Sequence, residues 1–150
     1  MSRLRLTPGN RLIDLLTAAP GALEADRAMR RQLVEEITPR LYSLIGVVVA
    51  GLLGCAKFVE ALRGPLGPSL AFEAAHDWRA LEVNVADKAV LAYTERGTLD
   101  EAAVRKRDVD ELRAAGFTDK DVLLIATVIA YHNYSIRMAA AFDVLPSSAD

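Results

Sequence analysis

The chain has 150 residues, of which 52% are hydrophobic and 25% charged, and its formal net charge is −2. This length and composition are typical of one globular domain with a proper core. The nearly balanced charge gives no electrostatic basis for binding nucleic acid or an anionic membrane surface. A single cysteine excludes an internal disulfide and a multi-cysteine metal site, and it favours a reducing, cytoplasmic location.

The first segments have helical spacing. Segments 10–18 and 22–37 are each predicted to be helical, and Pro20 with Gly21 is expected to end the first one. The face of the second helix that turns toward the core is predicted to carry Leu23, Met29, Leu33 and Ile37.

A long apolar helix is predicted next. Thr38 and Pro39 are typical of an N-cap followed by proline at the first helical position. The helix they open is apolar nearly all round, as the central helix of a bundle should be. Its apolar run, 44–53, is ten residues long, roughly half of what spans a bilayer, so no membrane span is expected. Gly54 is expected to end it, with Cys55 starting the next helix.

The middle of the chain contains a loop and two further helices. Glycines and prolines predict a loop over 63–69, and a short helix is predicted over 70–78. Asn84, with Asp87 three residues later, is expected to cap a helix that Gly97 closes.

The last two helices complete an all-α prediction. Asp108 is expected to open a short helix that Gly116 ends. Thr118 with Asp121 predicts a capping box for the last and longest helix. No alternating strand pattern is present outside the apolar run, so we expect one all-α domain spanning 1–150.

The C-terminal part carries a recognisable motif. The stretch 108–139 contains "DVxxLRxxGFxDxxV" and then "AYxNYxxR", with "DKAVLAYTER" at 87–96 before it. This pattern resembles the peroxidase-related branch of the alkylhydroperoxidase D-like and carboxymuconolactone decarboxylase superfamily. The resemblance covers 38–145, whereas 1–37 is only weakly matched. It implies an alkylhydroperoxidase D-like helical bundle that assembles as a homo-oligomer, a trimer or a hexamer.

The redox motif of that superfamily is degenerate in this chain. The family pattern has a glutamate, a Cys-x-x-Cys twelve residues later, and a histidine four residues after the second cysteine. Only Cys55 matches, because Ser43, Phe58 and Leu62 occupy the glutamate, second-cysteine and histidine positions. The three changes remove proton-transfer or redox groups. The resemblance therefore implies that the chain cannot run a dithiol peroxidase cycle.

Cys55 has two interpretations. The start of a helix favours a thiolate, as in a working nucleophile. Its helical neighbours Phe58, Val59 and Leu52 are apolar, however, and apolar surroundings raise the pKa of a thiol. Cys55 is therefore either a pocket residue with some reactivity or a small buried hydrophobe.

His132 is the most informative polar residue of the last helix. It continues the apolar stripe formed by Val122, Ile125, Ile129 and Ile136 at steps of three and four. A histidine on that stripe points either into a pocket or into the core. In the second case a backbone carbonyl would satisfy it. His76, beside Asp77, is interpreted mainly as part of a solvated helix face.

Three functional hypotheses follow. The first is a cofactor-free enzyme that acts on a small organic molecule between helices 41–53 and 118–142. In it, His132 serves as general acid or base, while Cys55 and Tyr131 line the site or polarise the substrate. The second is a non-catalytic small-molecule binder or structural homo-oligomer, and the third is a single-cysteine peroxidase that uses Cys55. The pocket would also be lined by Ser43, Phe58 and Leu62, and no cofactor or metal site is expected.

Overall fold

The computed structural model describes residues 9–147, and within them the chain is helical, with no strand. Short 3₁₀ turns at Gly64–Leu66 and Glu101–Ala103 connect some of the helices. The α-helices of this range are α1 (Leu12–Leu16), α2 (Pro20–Glu36), α3 (Pro39–Leu52), α4 (Ala56–Leu62), α5 (Pro68–Asp77), α6 (Val85–Leu99), α7 (Lys106–Ala114) and α8 (Asp119–Phe142).

Helix α3 is the centre of the bundle. It is buried without interruption from Tyr42 to Ala50, and it packs against α4, α5, α6 and α8. Burial on all sides explains why the sequence of this helix is apolar nearly all round. The prediction of a central helix is therefore confirmed.

Three predicted caps are present at the starts of long helices. The Thr38 hydroxyl accepts a hydrogen bond from the Leu41 N–H at 3.2 Å. The Asn84 side-chain oxygen accepts from the Asp87 N–H at 2.7 Å. At α8, Thr118 and Asp121 form the reciprocal pair of a capping box. These side chains satisfy N–H groups that the helices leave unpaired.

Three predicted boundaries are wrong. Pro20 begins α2 instead of ending α1, because proline at the first helical position loses no hydrogen bond. Gly97 lies inside α6, where an added Cβ would be 3.5 Å from Ile129 Cγ2, so it lies where α6 meets α8. Asp108 lies in the first turn of α7 instead of before it, and its carboxylate accepts from the Arg105 N–H.

The buried face of α2 differs from the predicted one. Met29 is 45% exposed, whereas Asp26 is only 5% exposed and Leu33 is buried. Two residues of the predicted face, Leu23 and Ile37, are half-buried. The face that turns toward the bundle therefore contains a carboxyl group where the sequence pattern predicts a methionine.

The two ends of the described range meet. The Leu12 N–H donates to the Leu145 carbonyl at 2.7 Å, and the Leu145 N–H donates to the Asn10 carbonyl at 2.6 Å. This pairing holds α1 beside the segment that follows α8. Among the helices between residues 9 and 147, none is both long and apolar enough to cross a bilayer.

Candidate functional site

His132 is a core residue in this structure. Its ring is 1% exposed, and Nε2 lies 2.9 Å from the backbone carbonyl oxygen of Tyr42. A carbonyl only accepts hydrogen bonds, so Nε2 carries the proton. Burial lowers the pKa of His132 to about 4, against the opposing effect of this hydrogen bond. The predicted stripe of α8 is buried along its length, and His132 belongs to it.

The His132 ring fills the space between α3 and α8 in which a pocket is expected. A Cβ added to Gly46 would lie 2.7 Å from His132 Cε1 and 3.0 Å from Nε2. The glycine therefore leaves space that the imidazole occupies. The Tyr42 ring also packs against it, with its centroid 4.4 Å from that of His132. This geometry favours the core interpretation of His132 over the role of general acid or base.

Cys55 is half-buried between α3 and α4. Its thiol donates a hydrogen bond to the Leu53 carbonyl oxygen, with 3.5 Å between Sγ and that oxygen. Burial raises the pKa of Cys55, while Lys57 and Arg137 act in the opposite direction. At neutral pH the protonated thiol is therefore favoured, which is the less reactive form.

The side chains at the other positions of the degenerate redox motif are buried. Ser43, Phe58 and Leu62 are all buried, and Phe58 is completely inaccessible. None of the three lines the cavities between α4 and α5, between α6 and α8, or between α2 and α8, and neither Cys55 nor His132 does so. These cavities therefore do not support the expectation that the five residues share a pocket.

A cavity of about 500 Å³ lies between α4 and α5. Its wall includes His76 and Phe72, whose rings are stacked with centroids 6.1 Å apart. Gly54 and Ala56, on either side of Cys55, also line it, whereas Cys55 itself does not. The structure therefore places His76 near the cysteine segment, in a cavity that the thiol does not line.

A second cavity, of about 390 Å³, lies between α2 and α8. We call it the α2–α8 cavity. Its polar groups come from Asp26, Thr127, Tyr131 and Tyr134, and alanines and Met29 form much of the rest. From the sequence, Tyr131 is expected to line a pocket between α3 and α8, whereas in the structure it lines the cavity between α2 and α8.

A buried carboxyl–phenol pair belongs to the α2–α8 cavity. The Tyr131 hydroxyl donates to Asp26 Oδ1 at 3.2 Å. The Tyr131 ring also contacts Tyr134 at the cavity and Tyr42 in the core, with centroids 6.1 Å and 6.5 Å away. The pair therefore joins the cavity to the aromatic cluster around His132.

Several polar atoms beside this pair have no partner. Asp26 Oδ2, Arg30 Nη1 and Ser147 Oγ are buried and make no hydrogen bond within residues 9–147. Buried polar groups in folded proteins are nearly always hydrogen-bonded, and an unpaired one costs about 1–3 kcal/mol. Arg30 and the Ser147 hydroxyl both act on the Asp26 carboxyl group, so these three polar side chains lie together around it.

Burial changes the acidity of this cluster. It raises the pKa of Asp26 above its ordinary value, although Tyr131, Arg30 and the nearby Ser147 hydroxyl act in the opposite direction. Burial likewise raises the pKa of Tyr131 and Tyr42, so both phenols stay protonated and remain donors. Asp26 is thus a carboxyl group whose neutral form is favoured by its surroundings.

Asp26 and Arg30 are not among the site residues predicted from the sequence, although the sequence contains a signal for them. Residues 23, 26, 30, 33 and 37 follow one another at steps of three, four, three and four, which defines one helix face. Two charged residues on such a face need partners inside the protein. Assigning Met29 to the inward face hides this pattern.

Metal ligation is not evident in the described part of the chain. No group of three or more His, Cys, Asp or Glu side chains between residues 9 and 147 is placed to hold a metal ion. No residue pattern in the sequence points to a particular cofactor either. What the α2–α8 cavity does offer is acid–base chemistry from its own side chains, with Asp26 as the main titratable group.

Solved structures with the same fold are known. An uncharacterized peroxidase-related protein from Silicibacter sp. TM1040 is 23% identical with a TM-score of 0.81, over 91% of this chain and 75% of that one. An uncharacterized peroxidase-related protein from Ralstonia eutropha JMP134, an alkylhydroperoxidase AhpD core, is 22% identical with a TM-score of 0.76, over 89% and 75%.

A third similar structure is an enzyme with a bound small molecule. It is the debrominase Bmp8, as a cysteine-to-alanine variant in complex with 2,3,4-tribromopyrrole. It is 20% identical with a TM-score of 0.73, over 90% of this chain and 75% of the other. No family model and no curated protein matches the sequence. The structural similarities show that the chain has the all-α alkylhydroperoxidase D-like fold.

Proposed function

We propose that this chain is a cofactor-free enzyme on an alkylhydroperoxidase D-like scaffold, acting on a small organic molecule by acid–base chemistry. The reaction takes place in the α2–α8 cavity. Asp26 is the general acid, and Tyr131 holds the carboxylate that forms when Asp26 gives up its proton. This assignment replaces His132 as the proton-transfer group and keeps Tyr131 as a site residue.

The observation that carries the proposal is the Asp26–Tyr131 pair at the α2–α8 cavity. A general acid works best when its pKa lies near the working pH, and burial moves the pKa of Asp26 in that direction. Titratable groups with shifted pKa values at a cavity are candidates for catalysis. His132 has the opposite properties, because it is enclosed and burial keeps it neutral.

The degenerate redox motif supports chemistry without a dithiol. Cys55 has no second thiol in the chain to resolve it. The position where the family pattern has its second cysteine holds the buried Phe58. A disulfide cannot form within one chain from a single cysteine, so a peroxidase cycle of the dithiol type is excluded.

The comparison with Bmp8 supports a small organic substrate. That debrominase has the same fold and binds 2,3,4-tribromopyrrole, a small heteroaromatic molecule. The scaffold is therefore compatible with binding a compound of that size. A cavity of about 390 Å³ has the volume that such a compound needs.

Proton transfer at a carbon beside a carbonyl group is the form of this chemistry that is simplest to measure. Asp26 gives its proton to the carbonyl oxygen, a water takes a proton from the adjacent carbon, and an enol forms. The enol returns to the ketone by the reverse steps, and Asp26 recovers its proton. In D₂O the net result is replacement of a carbon-bound hydrogen by deuterium.

The test is deuterium incorporation followed by proton NMR. A panel of small ketones and lactones is incubated in D₂O with the wild-type protein and with Asp26→Asn. We expect at least one compound to exchange its carbon-bound hydrogens faster with wild type, and the excess rate to be lost in Asp26→Asn. Equal rates for both proteins with every compound would contradict the proposal.

Two matched variants sharpen this test. Glu24→Gln removes an exposed carboxyl group from the same helix, and the exchange rate should not change. His132→Gln should also leave the rate within a few-fold of wild type, since His132 has no role in the proposed step. If His132→Gln abolished exchange while the protein stayed folded, His132 and not Asp26 would be the proton-transfer group.

The oligomeric state and two alternative functions are also proposals. We propose a homo-oligomer, a trimer or hexamer by resemblance, because Phe72, Val85 and Leu123 are large apolar side chains that the single chain leaves exposed. Light scattering measures the subunit count. A non-catalytic binder is the alternative to the enzyme, and a single-cysteine peroxidase is addressed by the reactivity of Cys55.

A further inference from the structure

We propose that the cavity between α6 and α8 binds an α-amino acid with an apolar side chain. We call it the α6–α8 cavity, and its volume is about 650 Å³. Arg137 binds the carboxylate of the ligand, Glu101 binds its ammonium group, and apolar residues of the two helices contact its side chain. The site uses none of the polar groups of the α2–α8 cavity, so it does not rest on the proposed function.

Arg137 is held in place at the wall of this cavity. Its Nε donates to the Asn133 side-chain oxygen at 3.3 Å, and its Nη2 donates to the Thr98 carbonyl oxygen at 3.3 Å. Asn133 is fixed in turn, because its Nδ2 donates to the Thr98 hydroxyl and to the Ile129 carbonyl, both at 3.0 Å. The guanidinium therefore has its orientation before a ligand binds, which favours binding.

One edge of that guanidinium is left for a ligand. The bonds to Asn133 and Thr98 use Nε and Nη2, whereas Nη1 makes no hydrogen bond within residues 9–147. Arg137 forms no ion pair with a residue of that range either. Nη1 and the second N–H of Nη2 form a fork that matches the two oxygens of a carboxylate. The ligand group that fits Arg137 is therefore a carboxylate.

Glu101 gives the cavity a second charge, of opposite sign. It lines the cavity, and its side chain forms neither an ion pair nor a hydrogen bond within residues 9–147. It follows Thr98 by three residues, so it lies at the end of the cavity where Arg137 contacts Thr98. Glu101 repels a simple carboxylate ligand, and Arg137 repels a simple amine. An α-amino acid carries both charges close together and offers a partner to each.

Apolar surface extends from the charged end along both helices. Ala126, Ile129 and Ala130 line the cavity from α8. Gly97 lines it from α6, where the absence of a side chain leaves the space beside Ile129 open. Tyr93 lies one helical turn before Gly97 and adds a half-buried ring. This lining favours an amino acid whose side chain is apolar, such as phenylalanine.

Four small molecules serve as the probes. L-Phenylalanine carries both charges, 3-phenylpropanoate lacks the ammonium group, 2-phenylethylamine lacks the carboxylate, and glycine lacks the side chain. Binding is measured by chemical-shift changes of backbone amides in the ¹⁵N-labelled wild-type chain. The amides of Gly97 and Asn133 are the reporters, because Ala130 lines the α2–α8 cavity as well.

We expect phenylalanine to shift the reporter amides and to bind at least three-fold more tightly than each of the other three probes. The expected difference is modest because Arg137 and Glu101 are both exposed, and exposed ion pairs contribute little each. Each singly charged analogue loses one ion pair and also meets one like charge on the wall.

Charge-removing variants should change the preference in opposite directions. Glu101→Gln should bind 3-phenylpropanoate more tightly than wild type does, and Arg137→Gln should do so for 2-phenylethylamine. Both variants should bind phenylalanine more weakly. A general loss of packing would weaken all probes alike, so these opposite gains report charge. Glu111→Gln and Arg31→Gln remove exposed charges outside the cavity and should behave as wild type.

Several outcomes would overturn the inference. One is the absence of reporter shifts with phenylalanine in the wild-type chain, as when a second copy of the chain covers this face. Another is a wild-type affinity for any of the other three probes that equals or exceeds the affinity for phenylalanine. The wild-type probe series decides the matter even if Arg137→Gln or Glu101→Gln does not fold. If both variants fold and keep the wild-type order of affinities, the assigned charges are wrong.

Discussion

Burial shifts the pKa values of His132 and Asp26 in opposite directions. Each prefers its neutral form in the folded chain, because desolvation penalises the charged form. For the histidine this lowers the pKa to about 4, and for the aspartate it raises the pKa. The histidine is hydrogen-bonded to the Tyr42 carbonyl, and the Asp26 carboxyl group accepts a hydrogen bond from the Tyr131 hydroxyl.

The first prediction concerns the pH dependence of stability. The ordinary pKa of histidine, 6.5, is lowered to about 4 for His132 in the folded state, so the unfolded chain binds the proton more readily. The stabilisation is present above pH 6.5 and is lost as the pH falls toward about 4. The loss approaches about 3 kcal/mol at the lower limit. Urea unfolding of wild type and His132→Gln at several pH values measures it.

The glutamine variant keeps an N–H donor for the Tyr42 carbonyl but does not titrate. Its unfolding free energy should therefore decline less between pH 6.5 and 4 than that of wild type. His76→Gln is the control, because His76 is exposed, and it should retain the wild-type slope. Identical slopes for wild type and His132→Gln would show that His132 is not held neutral by burial.

The second prediction concerns the reactivity of Cys55. Because burial raises the pKa of Cys55, the thiolate fraction at neutral pH should be smaller than in the unfolded chain. Iodoacetamide should label the native protein several-fold more slowly than the protein in guanidinium chloride. The chain has no other thiol, so mass spectrometry of the intact protein reports this site alone. Native labelling at or above the unfolded rate would instead favour a single-cysteine peroxidase.

At the scale of elements, two glycines of α3 allow the central helix to approach its neighbours. Gly46 leaves room for the His132 ring of α8. Gly51 faces α5 so closely that an added Cβ would lie 2.0 Å from the Ala75 carbonyl oxygen. Side chains can move aside but a helix backbone cannot do so cheaply, so Gly51 is the stricter requirement.

The third prediction follows from that contact. Gly51→Ala should destabilise the protein by about 3 kcal/mol or more, because α3 and α5 must separate. Gly21→Ala, in α2, is the matched control, since its added Cβ would have nothing within 4 Å. It should change stability by no more than about 1 kcal/mol. Denaturant unfolding of both variants measures the difference, and equal stabilities would contradict this packing.

Much of the helical pattern is predictable from local chemistry. Thr38, Asn84 and Thr118 mark helix starts because their side chains cap free N–H groups, and this requires only neighbouring residues. Pro20 is assigned wrongly from sequence because the same proline is compatible with the end of one helix and the first position of the next. Gly97 is assigned wrongly because the residue that it faces, Ile129, lies in another helix, and neighbouring residues in the sequence do not reveal that contact.

The site is less predictable than the fold. His132 is placed correctly on the buried stripe of α8, but sequence alone does not show whether such a residue meets a pocket or a carbonyl. The Asp26–Tyr131 contact joins residues 105 positions apart, so no local motif reveals it. Asp26 is nevertheless detectable by helical spacing, as the single acidic group of an otherwise inward-facing stripe with Arg30.

At the scale of the whole molecule, the chain shares its fold with peroxidase-related proteins but lacks the residues of the redox motif. The bundle around α3 matches peroxidase-related proteins and a debrominase, while the positions of the redox motif hold a lone thiol and three buried residues without redox function. The unpaired polar atoms of Asp26, Arg30 and Ser147 gather instead where α2 meets α8 and the segment after it. Fold alone does not determine function, so the acid–base chemistry proposed for Asp26 has to be tested at that residue.

The pKa values of several exposed carboxyl groups shift in the direction opposite to that of Asp26. Hydrogen bonds with Lys120, Arg113 and Thr118 lower the pKa values of Glu36, Asp119 and Asp121, respectively. These carboxyl groups are open to solvent and prefer to be charged. Asp26 is shifted upward instead, because it is removed from water.

The most direct test is therefore an NMR titration of the side-chain carboxyl carbons of the ¹³C-labelled wild-type protein from about pH 2 to 8. We predict that Asp26 titrates above its ordinary value of 3.8, while Asp119 and Asp121 titrate below it. Such a result would show that the folded chain favours the protonated form of Asp26, as the proposed chemistry requires. An Asp26 midpoint at or below 3.8 would mean a permanently charged carboxylate, and it would contradict its role as an acid.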